Sequence, residues 1–218
     1  MPRVAMTRFL GWLAVCALIV GLAADFGYAP REMTQGNVQR IMYLHVPSIL
    51  TAYLAFGLVL LGSVAYLLSR RASWDHLAAS AAEIGVLFTA ITIVSGSIWG
   101  RPTWGVWWTW DARLTSTAVL LLVYVGYLLL RAMVDEPEAR ARYAAVVGIL
   151  GAANIPIVHF SVYWWRALHQ PAAMLGPGRA PMPGWMKGIV LVNWIAFTLL
   201  FAYFLSRRMQ IARLEEQA

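Results

Sequence analysis

Charge is scarce in this chain. Asp, Glu, Lys and Arg make up 12% of its 218 residues, and 61% are hydrophobic. A soluble globular domain is about a quarter charged. A soluble fold of this length also leaves too much surface exposed to hide so many apolar side chains. Disorder is excluded by the same balance, since disordered chains are polar and highly charged. Cysteine is nearly absent: the single Cys16 lies in an apolar run. It allows no internal disulfide, no CxxC redox pair and no CxxCH attachment of haem. A P-loop is missing, and with it that type of nucleotide-hydrolysing site. The net charge is +7, but no basic repeat or stripe accompanies it, so the reading is no nucleic acid. The basic residues sit instead at the ends of apolar runs, where they set membrane topology. No linker, low-complexity run or internal repeat divides the chain, and residues 1–218 read as one domain.

What is present is long apolar runs. Crossing the hydrocarbon core takes about 17–25 apolar residues, and six stretches qualify: Phe9–Ala24, Ile49–Leu68, Leu77–Ile98, Thr115–Met133, Tyr143–Phe160 and Met186–Leu205. The expected fold class is all-α: a polytopic membrane helix bundle of six transmembrane helices with a Trp-rich interfacial loop on the outer face. The first run has a basic start (Arg3, Arg8) and ends in Ala23-Ala24-Asp25, the features of a cleavable signal. Its apolar stretch is long for one, and it is read as retained. With six spans both termini share a side. That side holds Arg3, Arg8, Arg70, Arg71, Arg131, Arg140, Arg142, Arg207, Arg208 and Arg213, against Arg31, Arg40, Arg101, Arg113, Arg166, Arg179 and Lys187 on the other. The bias places the termini in the cytoplasm. Glu83, early in the third run, reads as a span-end carboxylate rather than an intramembrane functional one. The loops Arg70–His76 and Val134–Arg142 are short enough to make their helices antiparallel neighbours.

Aromatic and imidazole side chains collect on the opposite face. Of 11 tryptophans, Trp99, Trp104, Trp107, Trp108, Trp110, Trp164, Trp165 and Trp185 fall in or beside the outer loops. An interfacial aromatic belt decorates both sides of a membrane, so anchoring explains only part of this. His45, His159 and His169 share that face, and only His76 lies opposite. Trp104, Trp107, Trp108 and Asp111 are spaced i, i+3, i+4, i+7, which on a helix makes one stripe. Such a stripe serves either as a lipid anchor or as a stacking platform for a flat ligand. Imidazole is a common axial ligand of haem iron. Residues as far apart as His45 and His169 can approach a ring from its two faces. Arg113 is the best-placed guanidinium for a ligand carboxylate such as a haem propionate. An ion pair with Asp111 or a lipid headgroup is the competing role. Arg40, Arg101 and Arg166 are weaker candidates.

The stretch Trp104-Gly105-Val106-Trp107-Trp108-Thr109-Trp110-Asp111-Ala112-Arg113 resembles the WWD signature of the haem-handling superfamily. Arg40-Ile41-Met42-Tyr43-Leu44-His45-Val46-Pro47, Asn154-Ile155-Pro156-Ile157-Val158-His159-Phe160-Ser161-Val162, Trp164-Trp165 and Leu168-His169-Gln170 extend the likeness. Over nearly its whole length the chain is similar to the CcmC family (haem exporter protein C) of system I cytochrome c maturation. The resemblance implies haem b, iron protoporphyrin IX, bound at the periplasmic face of the bacterial inner membrane, with His45 and His169 as its metal ligands. It implies that Trp104, Trp107, Trp108, Trp110, Asp111 and Arg113 form the haem platform and the docking surface for the haem chaperone CcmE. The chain would present haem for covalent attachment to a histidine of CcmE, acting with CcmD and the CcmA–CcmB ABC transporter. Its own contribution would be positioning, without classical catalytic residues. His159 is expected to be structural, since haem iron needs only two protein ligands. Two alternatives within the haem pathway are a haem transporter or exporter subunit and another WWD-type lyase component. A third is a scaffold whose tryptophans only meet lipid. Pro171–Gly184 reads as a variable part of the last loop.

Overall fold

A computed structural model describes residues 2–169 and 182–215, with the backbone alone for residues 2–4. Gln170, Arg179 and most of the Pro/Gly-rich last loop lie outside the described residues. The described residues form seven α-helices and no β-strand: α1 (Pro2–Ala23), α2 (Met42–Ser69), α3 (Ala72–Trp104), α4 (Ala112–Met133), α5 (Pro137–Ala152), α6 (Asn154–Trp164) and α7 (Gly184–Glu215). Helices α5 and α6 are two halves of one span, so the six expected crossings are all present. The molecule is a multi-pass membrane protein.

Each helix runs past its apolar stretch. The third span begins at Ala72, five residues before the expected Leu77, so Glu83 lies three turns inside α3 rather than at its end. Its charge is matched there by Arg208 of α7, which donates Nε and Nη2 hydrogen bonds of 2.5 and 2.6 Å to the two carboxylate oxygens. Glu136 caps α5 by accepting from the Glu138 and Ala139 amides, with Pro137 at the first helical position, where its missing N–H costs nothing. The fifth span breaks at Ala153, three residues before Pro156, whose ring excludes a straight helix through the preceding turn. Asn154 Nδ2 ties the break to the Ser116 carbonyl of α4 at 2.9 Å.

In lipid the burial of apolar surface gives helices little reason to associate, and close packing of small residues takes over. The α2–α3 pair shows this, with Ala52, Ala55, Ala78, Ala81 and Ala82 all buried. A Cβ on Gly85 would fall 2.5 Å from the Phe56 ring. Phe56 in turn stacks on Tyr124 of α4, centroids 3.7 Å apart and ring planes nearly parallel. Helix α1 joins the bundle through α7, where Thr7, Ser206 and Gln210 form a hydrogen-bonded cluster. Both termini are therefore at the same end of the bundle.

Candidate functional site

At the end opposite the termini, α2, α3, α4, α6 and the segment before α7 enclose a cavity of about 1120 Å³, its open mouth included. Ligand pockets are mostly apolar with a few placed polar groups. The floor here is Ile49, Leu50, Ile93, Leu114 and Val158, the walls Tyr53, Trp99, Trp104 and Trp108, and the polar groups are His45, His159, His169 and Arg113. A smaller cavity of about 470 Å³ abuts it and shares His45, Gly96, Trp99, Trp104 and His169. The two histidines separated by most of the chain thus line the same two spaces.

The loop carrying the tryptophan motif is not the helical stripe expected from its spacing. Helix α3 stops at Trp104 because Gly105 takes φ +80°, a left-handed C-cap whose amide returns to the Arg101 carbonyl. Arg101 reinforces the stop by donating Nη1 to the Gly105 carbonyl. Helix α4 then starts at Ala112, because Asp111 Oδ1 accepts from the Leu114 amide at 2.9 Å as its N-cap. Between these two signals residues 105–111 are irregular, and the indoles diverge instead of sharing a face. Trp104 and Trp108 turn into the cavity. Trp107 and Trp110 do not line it and are 59% and 79% exposed.

The histidines are held unequally. His45 sits one turn into α2, with Nδ1 3.2 Å from Ser95 Oγ and its ring edge-on to Trp99. His169 packs edge-on to Trp104, centroids 4.7 Å apart. Its Nδ1 lies 3.8 Å from Asp111 Oδ2, beyond hydrogen-bond reach, and is buried without a hydrogen-bond partner among the described residues. Burial pushes the Asp111 carboxyl up, but the facing imidazole, the Leu114 amide and the Thr109 hydroxyl outweigh it and hold the pKa at about 2. The carboxylate lies behind His169 and is favoured in its ionised form.

Arg113 forms no ion pair with Asp111 among the described residues. Its Nη2 donates to the His159 carbonyl at 2.7 Å, while its Nε is buried with no hydrogen-bond partner among the described residues. Trp108 Nε1 is likewise buried and unpaired. Buried donors without acceptors cost about 1–3 kcal/mol each, and both side chains line the cavity. Two imidazoles, indole walls and unpaired donors beside a guanidinium suit a flat, apolar metallo-macrocycle with acidic substituents.

Five of the residues singled out from the sequence line the cavity directly: His45, His169, Trp104, Trp108 and Arg113. Asp111 stands behind His169. Tyr53, Thr92 and Gly96 line the cavity without having stood out in the sequence, and Trp99, counted there only among the outer-face tryptophans, and His159, expected to be structural, line it too. A signal existed for part of this: Thr92, Ser95, Gly96 and Trp99 are a polar and small stripe at i, i+3, i+4, i+7 inside an apolar helix.

The family described as CcmC, Heme exporter protein C, matches residues 3–218. The Heme exporter protein C of Bradyrhizobium diazoefficiens is 42% identical over 197 residues, covering 89% of this chain and 74% of that one. The protein of the same name from Escherichia coli K12 is 37% identical over 193 residues, 85% of this chain and 79% of that one. A cytochrome c biosynthesis ccmC-like mitochondrial protein of Marchantia polymorpha is 37% identical over 183 residues, 84% of this chain and 78% of that one.

Proposed function

The chain belongs to the CcmC (Heme exporter protein C) family, and from that premise we propose that it handles haem during cytochrome c biogenesis. It receives haem b as cargo in the cavity at the end away from its termini and presents it to the haem chaperone CcmE. The observation that carries this reading is the convergence of His45, His169, Arg113 and Trp108 on one indole-walled cavity.

In this reading His45 and His169 would hold the haem iron. Neutral imidazole nitrogens suit that role. Asp111 supports His169 from behind, as carboxylates commonly support metal-bound histidines. Arg113 and Trp108 would donate charge-assisted hydrogen bonds to propionate oxygens. Tyr53, Trp99 and Trp104 exclude water along the ring. The exposed Trp107 and Trp110 are left for a partner or for lipid, the amphipathic use of indole at interfaces. The histidine that becomes joined to haem would belong to CcmE. The chain's work is therefore orientation. CcmD and the CcmA–CcmB transporter act alongside it, the termini are cytoplasmic, and the cavity opens to the periplasm of the inner membrane.

Haem-loaded CcmE, measured in cells carrying the combined Trp107→Phe, Trp108→Phe and Asp111→Asn variant, tests the proposal. Asn caps a helix as well as Asp, so the loop keeps its frame. The expected result is loss of haem-loaded CcmE with the membrane protein still present; undiminished loading would overturn the platform reading.

A further inference from the structure

We infer that Ser95 and Gly96 of α3 are positioning residues that fix the tautomer and plane of His45, leaving Nε2 as the unprotonated nitrogen available to a metal. A serine hydroxyl has one proton. Ser95 Oγ lies 2.7 Å from the Ile91 carbonyl and 3.2 Å from the Thr92 carbonyl, both of which can only accept. That proton is therefore committed to the helix backbone, a common arrangement for serine in membrane helices. Toward His45 Nδ1, 3.2 Å away, Ser95 Oγ can offer only lone pairs. The contact is a hydrogen bond only if Nδ1 carries the proton. In a neutral ring Nε2 is then the unprotonated nitrogen.

Gly96 sets the plane. A Cβ at this position would lie 2.8 Å from His45 Cε1 and 3.2 Å from Nδ1. The imidazole rests directly on the α3 backbone, where no larger residue fits without displacing it. Trp99, the next residue on the same helical face, meets the ring edge-on with centroids 5.9 Å apart. These three residues grip one edge of the ring, and its remaining surface borders both cavities. His169 lacks an equivalent grip, since its Nδ1 has no hydrogen-bond partner. His45 is thus the preset ligand, and His169 is the one that settles against Asp111 when cargo arrives. The metal-binding consequence rests on the haem reading above; the tautomer does not.

The test uses the full chain in lipid nanodiscs with ¹⁵N-labelled histidine, the His45 signal being identified by its loss in His45→Gln. Without haem, His45 is expected as the Nδ1–H tautomer in the wild type and to shift toward Nε2–H in Ser95→Ala. Ser95→Thr, which keeps a hydroxyl, is expected to restore it. With haem, Ser95→Ala is expected to weaken binding about 10–100-fold, the usual effect of losing a group that supports a metal-bound histidine. Its midpoint potential is expected to rise, because a proton-donating Nδ1 makes the ligand more electron-rich. Gly96→Ala is expected to lose haem by displacing the ring. If Ser95→Ala fails to fold, Ser95→Cys reads the same changes through a weaker acceptor. An Nε2–H wild type, or a Ser95→Ala protein with unchanged tautomer and potential, overturns the inference. A bis-imidazole spectrum surviving in His45→Ala overturns the haem assignment instead, and leaves the tautomer result to be judged separately.

Discussion

The two ends of the bundle treat their guanidinium groups in opposite ways. At the end holding the termini, Arg131 donates two hydrogen bonds of 2.6 and 2.8 Å to Asp75, and Arg208 makes the same two-pronged contact with Glu83. These pairs staple α3 to α4 and to α7. At the cavity end Arg113 has no carboxylate partner among the described residues, and its Nε is buried and unpaired. A guanidinium with a fitted carboxylate holds helices together. One left partly unsatisfied on a cavity wall is shaped for a carboxylate that arrives with a ligand. The first arrangement belongs to the scaffold and the second to the site.

That contrast can be broken from either side. The largest effect is expected where a pair is halved. Arg131→Met or Asp75→Leu alone strands a partner whose side chain is only about 15% exposed or less, which costs about 3–5 kcal/mol. The two changes together should be close to neutral, and haem affinity should be unaffected in all three proteins. Denaturation in detergent read beside haem titration separates these outcomes. A loss of haem in the double variant would show that the two ends are not independent.

Next in size is Arg113→Gln. Losing a charge-assisted bond of about 1.5–3 kcal/mol predicts roughly 10–100-fold weaker haem binding. Haem dimethyl ester, which has no carboxylate, should bind wild type and variant alike. An equal loss for the ester would reduce Arg113 to a structural role.

Asp111→Ala is expected to cost about 1 kcal/mol through the lost cap, together with weaker haem retention. The pH dependence follows from the depressed pKa. Its folded value of about 2 lies below the ordinary carboxylate value of ~3.9. The stabilisation is therefore complete above the unfolded value and is lost as pH falls through the folded one. The stability gap between wild type and Asp111→Ala should stay constant down to about pH 5 and shrink only below about pH 4. A gap already shrinking near neutrality would mean that the anion does not act as described.

The smallest effect belongs to Trp107→Phe and Trp110→Phe. Neither residue lines the cavity, so each should leave haem affinity unchanged and alter only chaperone loading or lipid contact. A large affinity loss from either would move the haem toward the loop surface.

Much of the scaffold was readable from residue order, because six long apolar runs have no other stable home than lipid. Their ends were less readable. Hydropathy registers the hydrocarbon core, whereas α3 continues to Trp104, past the expected Ile98. The loop geometry was misleading, since the spacing of Trp104, Trp107, Trp108 and Asp111 fits a helix. Gly105 at positive φ and the Asp111 cap decide otherwise. At the site, His45, His169 and Arg113 stood out because such residues are rare near membranes. Ser95 and Gly96 did not, as small residues are common in membrane helices. Their significance depends on the register between α2 and α3, which packing sets and residue order does not state.

The most direct measurement of the central claim is the optical and electron paramagnetic resonance spectrum of the purified chain reconstituted with haem, beside His45→Ala and His169→Ala. The account predicts a low-spin bis-imidazole centre in the wild type that is lost in each single variant. Retention of that centre in either variant would contradict it.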